Sequence, residues 1–304
     1  MYRSFYDNNL ERVKESVFIK EFYASGQPVI SFEIFPPKGA DAMQVITDTV
    51  AGLQKLNPAF ISVTYGAGGS TRERTIEIAA AIKNRFQIEA LAHLTCVGHT
   101  VAEINGILDR LQAEGIENVL ALRGDPPAGV ENFDYSTCDF KYAVDLVRHI
   151  RGRSSVCIGA AAYPEGHISS PRLSTDLAYL KEKVDAGVDF LITQLFFDNR
   201  VFYNFLENAR RIGITCPIAA GILPVLNAGQ IKRIVSLCGA SIPAKLWLMV
   251  DRYADNPEDL QKAGIEYASA QIGDLLANGV DGVHLYTLNK VEPAAQILEN
   301  AGLI

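Results

Sequence analysis

Apolar residues along this chain fall into short runs that alternate with stretches repeating every three to four positions. The runs lie at 28–35, 60–65, 88–96, 117–123, 155–163, 189–197, 217–223 and 282–288, and are rich in Val, Ile, Leu, Phe and Ala. They are apolar on both faces, as parallel strands covered by helices are. Between them the helical period dominates, as in "TRERTIEIAAAIKNRF" (71–86) and "TVAEINGILDRLQAEG" (100–115), and a further helix leads the chain. Four joints share one device, a glycine and a branched apolar residue before the next strand: "EGIENVL", "AGVDFLI", "RIGITCPI" and "NGVDGVHL". A glycine after the last helical turn supplies a left-handed C-cap. Eight such units over about 270 residues predict a (β/α)8 barrel, which typically runs about 250. An open doubly wound sheet is the alternative. Between strands seven and eight, "NAGQIKRIVSLCG", "SIPAKLWLMVDRYADN" and "PEDLQKAGIEYASAQIGDLLANG" predict extra helices beyond one crossover. No linker-like stretch interrupts residues 1–304, so they read as a single domain.

Composition narrows the class without changing the fold. Of 304 residues, 48% are hydrophobic and 21% charged, enough for a sizeable core. A net charge of −7 offers no basic face for nucleic acid. Cys96, Cys138, Cys157, Cys216 and Cys238 are odd in number, widely spaced and without CxxC, which fits reduced thiols. The charged N-terminal stretch lacks a signal-peptide core, and no run of about 18 apolar residues supports a membrane span. A soluble, cytoplasmic protein is expected.

In such barrels the active site lies at the C-terminal strand ends. Those ends read "SFEIFPPKG", "SVTYGAGGSTRER", "AHLTC", "ALRGDPP", "AAAYPEGH", "TQLFFD", "AAGILP" and "HLYTLNK", each delivering polar or aromatic groups to one rim. Glu33 stands out within an otherwise apolar run. A buried carboxylate is costly unless paired or protonated, so it is either a structural partner for a barrel-lining Arg or a working acid. "GAGGST" resembles a phosphate cradle but matches neither dinucleotide nor P-loop spacing. A tight turn with Ser70 or Thr71 capping the next helix explains it equally. "RGDPP" could be a turn in which Arg123 pairs with Asp125. Lone histidines such as His93, His149 and His284 are usually hydrogen-bonded core residues. No histidine or carboxylate spacing suggests a metal site, and no strand carries a Schiff-base lysine.

With these pieces placed, "SFEIFPPK", "VTYGAGGS", "AHLTC", "ALRGD", "AAYPEGH", "KVDAG", "ITQLFFD", "GILPV" and "YTLN" resemble, in the same order, methylenetetrahydrofolate reductases. The resemblance spans residues 28 to 290 or so. It implies a TIM barrel that binds FAD and uses NADH or NADPH to reduce 5,10-methylenetetrahydrofolate to 5-methyltetrahydrofolate, feeding methionine synthesis. It makes Glu33 the general acid that protonates N10 as the folate ring opens, and burial would keep that proton available. It places Asp125 beside flavin and pterin, where a carboxylate stabilises the iminium cation. It assigns FAD contacts to Thr64, Tyr65, Ala67, His93, Arg123, Gly124, Asp125, Tyr142, Ala143, Tyr163, His167, Asp176 and Lys183. Substrate contacts fall to Asp125, Gln194, Gln230 and Lys290. At 290 this chain has Lys where bacterial members often have Arg, keeping the charge but losing the bidentate fork. The chain stops at Ile304, short of the S-adenosylmethionine-binding domain of animal and fungal members. A homo-oligomer without nucleic-acid or membrane partners is expected. A flavin-free folate-dependent lyase or methyltransferase, or a non-catalytic folate-binding subunit, is the alternative.

Overall fold

The computed structural model describes residues 17–39, 41–65, 72–126 and 133–304. Its strands are β1 (Val29–Ile34), β2 (Phe60–Val63), β3 (Glu89–Thr95), β4 (Asn118–Leu122), β5 (Cys157–Ala162), β6 (Phe190–Thr193), β7 (Ile218–Ile222) and β8 (Gly282–Tyr286). All are parallel and close into a barrel in chain order, β8 pairing with β1. The open-sheet alternative is thereby excluded. Each strand lies inside its expected run; the runs overshoot because their last residues leave the ladder to build the rim.

The helices are α1 (Ile19–Phe22), α2 (Ala42–Gln54), α3 (Arg72–Phe86), α4 (Val101–Ala113), α5 (Ala143–Arg153), α6 (Leu173–Asp185) and α7 (Asn199–Arg211). After β7 come α8 (Ala228–Cys238), α9 (Ala244–Arg252) and α10 (Pro257–Ala277), the three extra pieces read from the sequence, and α11 (Val291–Asn300) follows β8. The leading helix is, within the described residues, the single turn α1. Helix starts are chemically marked. Thr100 and Glu103 form a reciprocal capping box at α4, and Asn256 caps α10 ahead of Pro257. The repeated joint works as anticipated: Gly115, Gly187, Gly213 and Gly279 have φ of 74°, 120°, 84° and 71°, where a side chain would be strained.

Strand alternation sorts side chains between two cores. Phe32, Ile34, Ile61, Val63, Leu94 and Leu191 point outward and pack against the helices. Val29, Phe60, Leu91, Leu120 and Phe190 point inward and fill the N-terminal half of the barrel. Ile19 of α1, with Phe18, Phe22 and Tyr23 beside it, stoppers that end. A third cluster, including Leu195, Phe197, Leu223 and Leu246, lies under α8–α10.

Candidate active site

Inward positions change character toward the C-terminal strand ends. Above the apolar layer β1 turns in Ser31 and then Glu33, β2 Ser62, β3 His93, and β8 His284 and Tyr286. Glu33 lies in register with Ser62 and with Tyr286. Its Oε2 is 3.4 Å from His93 Nε2, 3.5 Å from Ser62 Oγ and 3.7 Å from His284 Nε2. Its surroundings are therefore imidazoles and hydroxyls, although its neighbours along the strand are apolar, and the carboxyl keeps 19% of its side-chain exposure. No arginine reaches it among the described residues, which removes the structural Arg partner as an explanation.

The two histidines differ. His284 is fully buried, with Nδ1 2.8 Å from Ser31 Oγ and Nε2 3.2 Å from Ser62 Oγ, a hydrogen-bonded core histidine as anticipated. His149 likewise bonds Asn105 at 2.8 Å. His93 departs from that reading. It is buried, yet its Nε2 has no hydrogen-bond partner, the 3.4 Å approach to Glu33 lacking the right geometry. Burial, partly offset by Glu33, pushes its pKa down to about 4, so the ring is neutral. His93 Nε2 shares this with the Tyr23 hydroxyl among the described residues, but His93 lies toward the open end beside a carboxyl, which makes it a candidate ligand contact.

The rim next to Glu33 is braced from β8. Thr287 Oγ1 donates to Glu33 O at 2.7 Å, and Asn289 brackets Phe35 by accepting from its N–H at 3.0 Å and donating to its carbonyl at 2.8 Å. This clasp holds Leu288 and Asn289 at φ of 53° and 58°, a costly conformation for leucine that persists where neighbours enforce it. Tyr286 donates to Thr193 O at 2.8 Å, and a Cβ on Gly221 would meet its hydroxyl at 2.9 Å.

A cavity of about 560 Å³ opens between the ends of β4 and β5 and the helices α5 and α6. That volume is in the range of cofactor pockets, roughly 300–1,000 Å³. Arg123, Tyr142, Ala143, Tyr163, His167, Asp176 and Lys183 all line it, so seven residues picked from the sequence as flavin contacts meet around one space. Lys183 donates to Ala161 O at 2.6 Å, and burial, opposed by Asp176, pushes its pKa down to about 8. His167 Nδ1 accepts from Ser169 N at 3.0 Å, leaving Nε2–H as the donor of its neutral form, and burial lowers its pKa. Burial pushes the Tyr163 hydroxyl up to about 12. Arg123 does not pair with Asp125; its guanidinium lies 4.6 Å from the Tyr135 ring centroid. Gly124 is required beside it: at φ 87° a Cβ would meet Val97 Cγ1 at 2.7 Å and Thr95 Cβ at 2.8 Å.

Other expected residues stand apart from this cavity. Asp125 is exposed beyond β4, its charge felt by Tyr163 and His167. Thr64 follows β2 and its carbonyl accepts from Thr75 at 3.0 Å, while the Tyr65 hydroxyl is 3.2 Å from His99 Nε2. Gln194 Oε1 accepts from Leu195 N at 2.9 Å, turning its NH2 away from that bond. Gln230 spends both ends of its amide on its own loop, accepting from Leu226 N and donating to Pro224 O, each at 3.0 Å. Lys290 is exposed at the start of α11. Ala67 and the "GAGGST" turn, with Ser70 and Thr71, lie outside the described residues. Ser31, Ser62, His284, Tyr286, Thr287 and Asn289 were not picked from the sequence, although the two-residue alternation of β1, β2 and β8 carries the signal for the first four.

Comparison with known proteins identifies the family. Residues 18–302 match the family model described as methylenetetrahydrofolate reductase. The chain belongs to the methylenetetrahydrofolate reductase family. It is 37% identical to the Escherichia coli 5,10-methylenetetrahydrofolate reductase over 91% of this chain and 92% of that one. It is 41% identical to Arabidopsis thaliana methylenetetrahydrofolate reductase (NADH) 1 over 94% of this chain. The chain spans about half the length of that plant relative, 50%. Among solved structures, a Clostridium thermocellum protein described as binding two copies of 5-methyl-5,6,7,8-tetrahydrofolic acid aligns over 93% of this chain and 98% of its own, with TM-score 0.64 and 15% identity. At that identity the likeness supports the barrel fold alone.

Proposed function

We propose that this family member reduces 5,10-methylenetetrahydrofolate to 5-methyltetrahydrofolate, with FAD held in the cavity between β4 and β5 and NADH or NADPH as reductant. The observation that carries this reading is the convergence of seven flavin-matching side chains on that one cavity. The lining fits the group chemically. Arg123 and Lys183 supply cationic donors for a pyrophosphate or ring carbonyls, His167 an N–H, and Tyr142 and Tyr163 aromatic faces. Bound there, FAD supplies the means of passing a hydride from the nicotinamide to the folate. Glu33 stands at the barrel mouth to give its proton to the folate N10, becoming a carboxylate as the ring opens. His93 is neutral and so does not hold that carboxylate in an ion pair. Asp125 offers a negative charge for the cation formed on the substrate. Gln194 and Lys290 would meet the substrate at the rim. Gln230 braces its own loop through Leu226 and Pro224, and its second amide N–H and second carbonyl lone pair would meet the substrate.

The reading extends to a cytoplasmic homo-oligomer without nucleic-acid or membrane partners. The net charge of −7 argues against a nucleic-acid partner. The test is an absorption spectrum of the purified protein, then anaerobic NADH and NADPH in turn. Flavin bands that bleach with either nucleotide and return with methylenetetrahydrofolate are expected. A colourless protein that gains no flavin from added FAD would favour the lyase or methyltransferase alternative.

A further inference from the structure

Four side chains beneath the rim form a continuous line. Ser31 Oγ lies 2.8 Å from His284 Nδ1, His284 Nε2 lies 3.2 Å from Ser62 Oγ, and Ser62 Oγ lies 3.5 Å from Glu33 Oε2. Ser31 Oγ is also 3.3 Å from the Val283 carbonyl, and the His284 ring is fixed by stacking on Phe60, 5.9 Å between centroids. A neutral imidazole has one donating and one accepting nitrogen, so the line can run in either of two directions. In the first, Ser31 donates to Val283 O and accepts from Nδ1–H, Nε2 accepts from Ser62, and Ser62 Oγ presents a lone pair to Glu33. That arrangement suits a carboxyl that carries its proton. In the second, Ser31 donates to Nδ1, Nε2–H donates to Ser62, and Ser62 donates to a carboxylate.

We propose that the line runs in the first direction in the resting protein, and that Ser31 is a positioning residue that sets the Ser62 hydroxyl to accept from the Glu33 carboxyl without touching it. The proposal rests on the reading of Glu33 as proton donor. The groups facing Glu33 agree with it. They are His93 on β3, His284 and Tyr286 on β8 and the Ser62 hydroxyl on β2, and no lysine or arginine among the described residues pairs with the carboxyl. Val283 O gives the Ser31 hydrogen somewhere to go, which frees Ser31 to accept Nδ1–H inside a fully buried site.

Ser31→Ala tests this. It would leave Nδ1–H buried without an acceptor, and an orphaned donor is tolerated less well than an orphaned acceptor. The ring should move to Nε2–H and turn Ser62 into a donor toward Glu33. In the flavin-loaded protein with 15N-labelled histidine, the His284 signals should change from the Nδ1–H to the Nε2–H pattern. Reoxidation of the reduced enzyme by methylenetetrahydrofolate should fall about tenfold near neutral pH, roughly the worth of one hydrogen bond at the reacting group. Reduction by the nicotinamide should stay unchanged. Ser31→Thr keeps the hydroxyl and should restore both readouts. Ser62→Ala, which cuts the line beside Glu33, is measured in parallel and should show the same kinetic loss. A wild-type tautomer and wild-type reoxidation in Ser31→Ala, or wild-type reoxidation in Ser62→Ala should Ser31→Ala not fold, would overturn the proposal. Glu33→Gln reoxidised at the wild-type rate would instead remove the reading on which it rests.

Discussion

The two ends of the barrel use several of their charges differently. At the N-terminal end charges are paired and tied to backbone. Asp189 accepts from Arg151 at 2.6 Å, Lys20 at 3.1 Å and Ile158 N at 2.9 Å. Asp281 accepts from Arg210 at 3.0 Å and Ile218 N at 2.8 Å, in the same relation to the strand behind it. Glu89 takes Lys83 at 2.8 Å and the Asn118 amide at 3.1 Å, while Asn118 accepts from Ile19 N at 2.8 Å. Beneath them α1 closes the apolar layer. At the C-terminal end Arg123, Asp125, Lys183 and Lys290 have no oppositely charged partner within ion-pair distance among the described residues, although Arg148 beside the cavity between β4 and β5 pairs with Glu182 at 2.7 Å. His93 Nε2 has no hydrogen bond there, as the Tyr23 hydroxyl has none at the N-terminal end. A network satisfied by its own chain holds the fold. One left open by it is arranged for something else.

If that division is real, damage at one end should not spread to the other. Phe190→Ala is the severest test from below. Phe190 is fully buried, with Phe60 and Tyr23 at ring-centroid distances of 6.2 and 5.8 Å. Its loss should cost about 3–5 kcal/mol of unfolding free energy in urea titration. FAD affinity of the protein that remains folded should not change. A matching loss of FAD affinity would mean the ends are one mechanical unit. Glu33→Gln is the counterpart from above. Stability and reduction by nicotinamide should hold, while stopped-flow reoxidation by methylenetetrahydrofolate falls roughly 10²–10⁴-fold, the usual share of a positioned general acid. Equal slowing of both half-reactions would assign Glu33 to structure.

The same division explains what the sequence could tell. The closed end was legible because it is built by local chemistry. Glycine C-caps at 115, 187, 213 and 279 and apolar runs on both faces specify βα units without knowledge of their partners. Glu33 was legible because a carboxylate inside such a run breaks the pattern. Its environment was not, since Ser62, His93 and His284 come from three other strands and meet only through the register of the closed barrel. Gln230 shows the reverse limit. A motif places it after β7, but whether its amide faces a substrate or its own loop is decided by Leu226 and Pro224.

A gentler probe of the open end is the pH dependence of FAD binding. Burial holds Lys183 at about 8, below its ordinary 10.5. A phosphate or flavin oxygen beside it would favour the ammonium and raise that value in the complex. Affinity is then full below about pH 8 and declines as pH rises through that value, by at most tenfold per unit. Flavin-fluorescence titrations should show this decline in wild type and not in Lys183→Met. A pH-independent wild-type affinity would place Lys183 away from the cofactor's anionic groups.

The smallest effect belongs to Lys290, an exposed member of the expected contacts. Its backbone is positioned with care: Lys290 N donates to Thr287 O at 2.9 Å, and the Asn289 clasp ties that turn to the end of β1 beyond Glu33. The side chain is solvated at the start of α11, and no carboxylate among the described residues holds it. An exposed ion pair is worth about 0–1 kcal/mol, so losing one with the folate's carboxylate tail should raise folate KM about fivefold at most. Lys290→Ala should do this while leaving flavin reduction and maximal turnover unchanged. Raising ionic strength should lift the wild-type KM toward the variant's, since salt screens such a pair. Lys290→Arg separates charge from geometry. If its KM falls below wild type, the bidentate fork reaches the tail; if it equals wild type, Lys290 acts as a point charge. A Lys290→Ala KM equal to wild type at low salt would leave the tail contact to another residue, and the clasp that shapes this turn would then serve Glu33 alone.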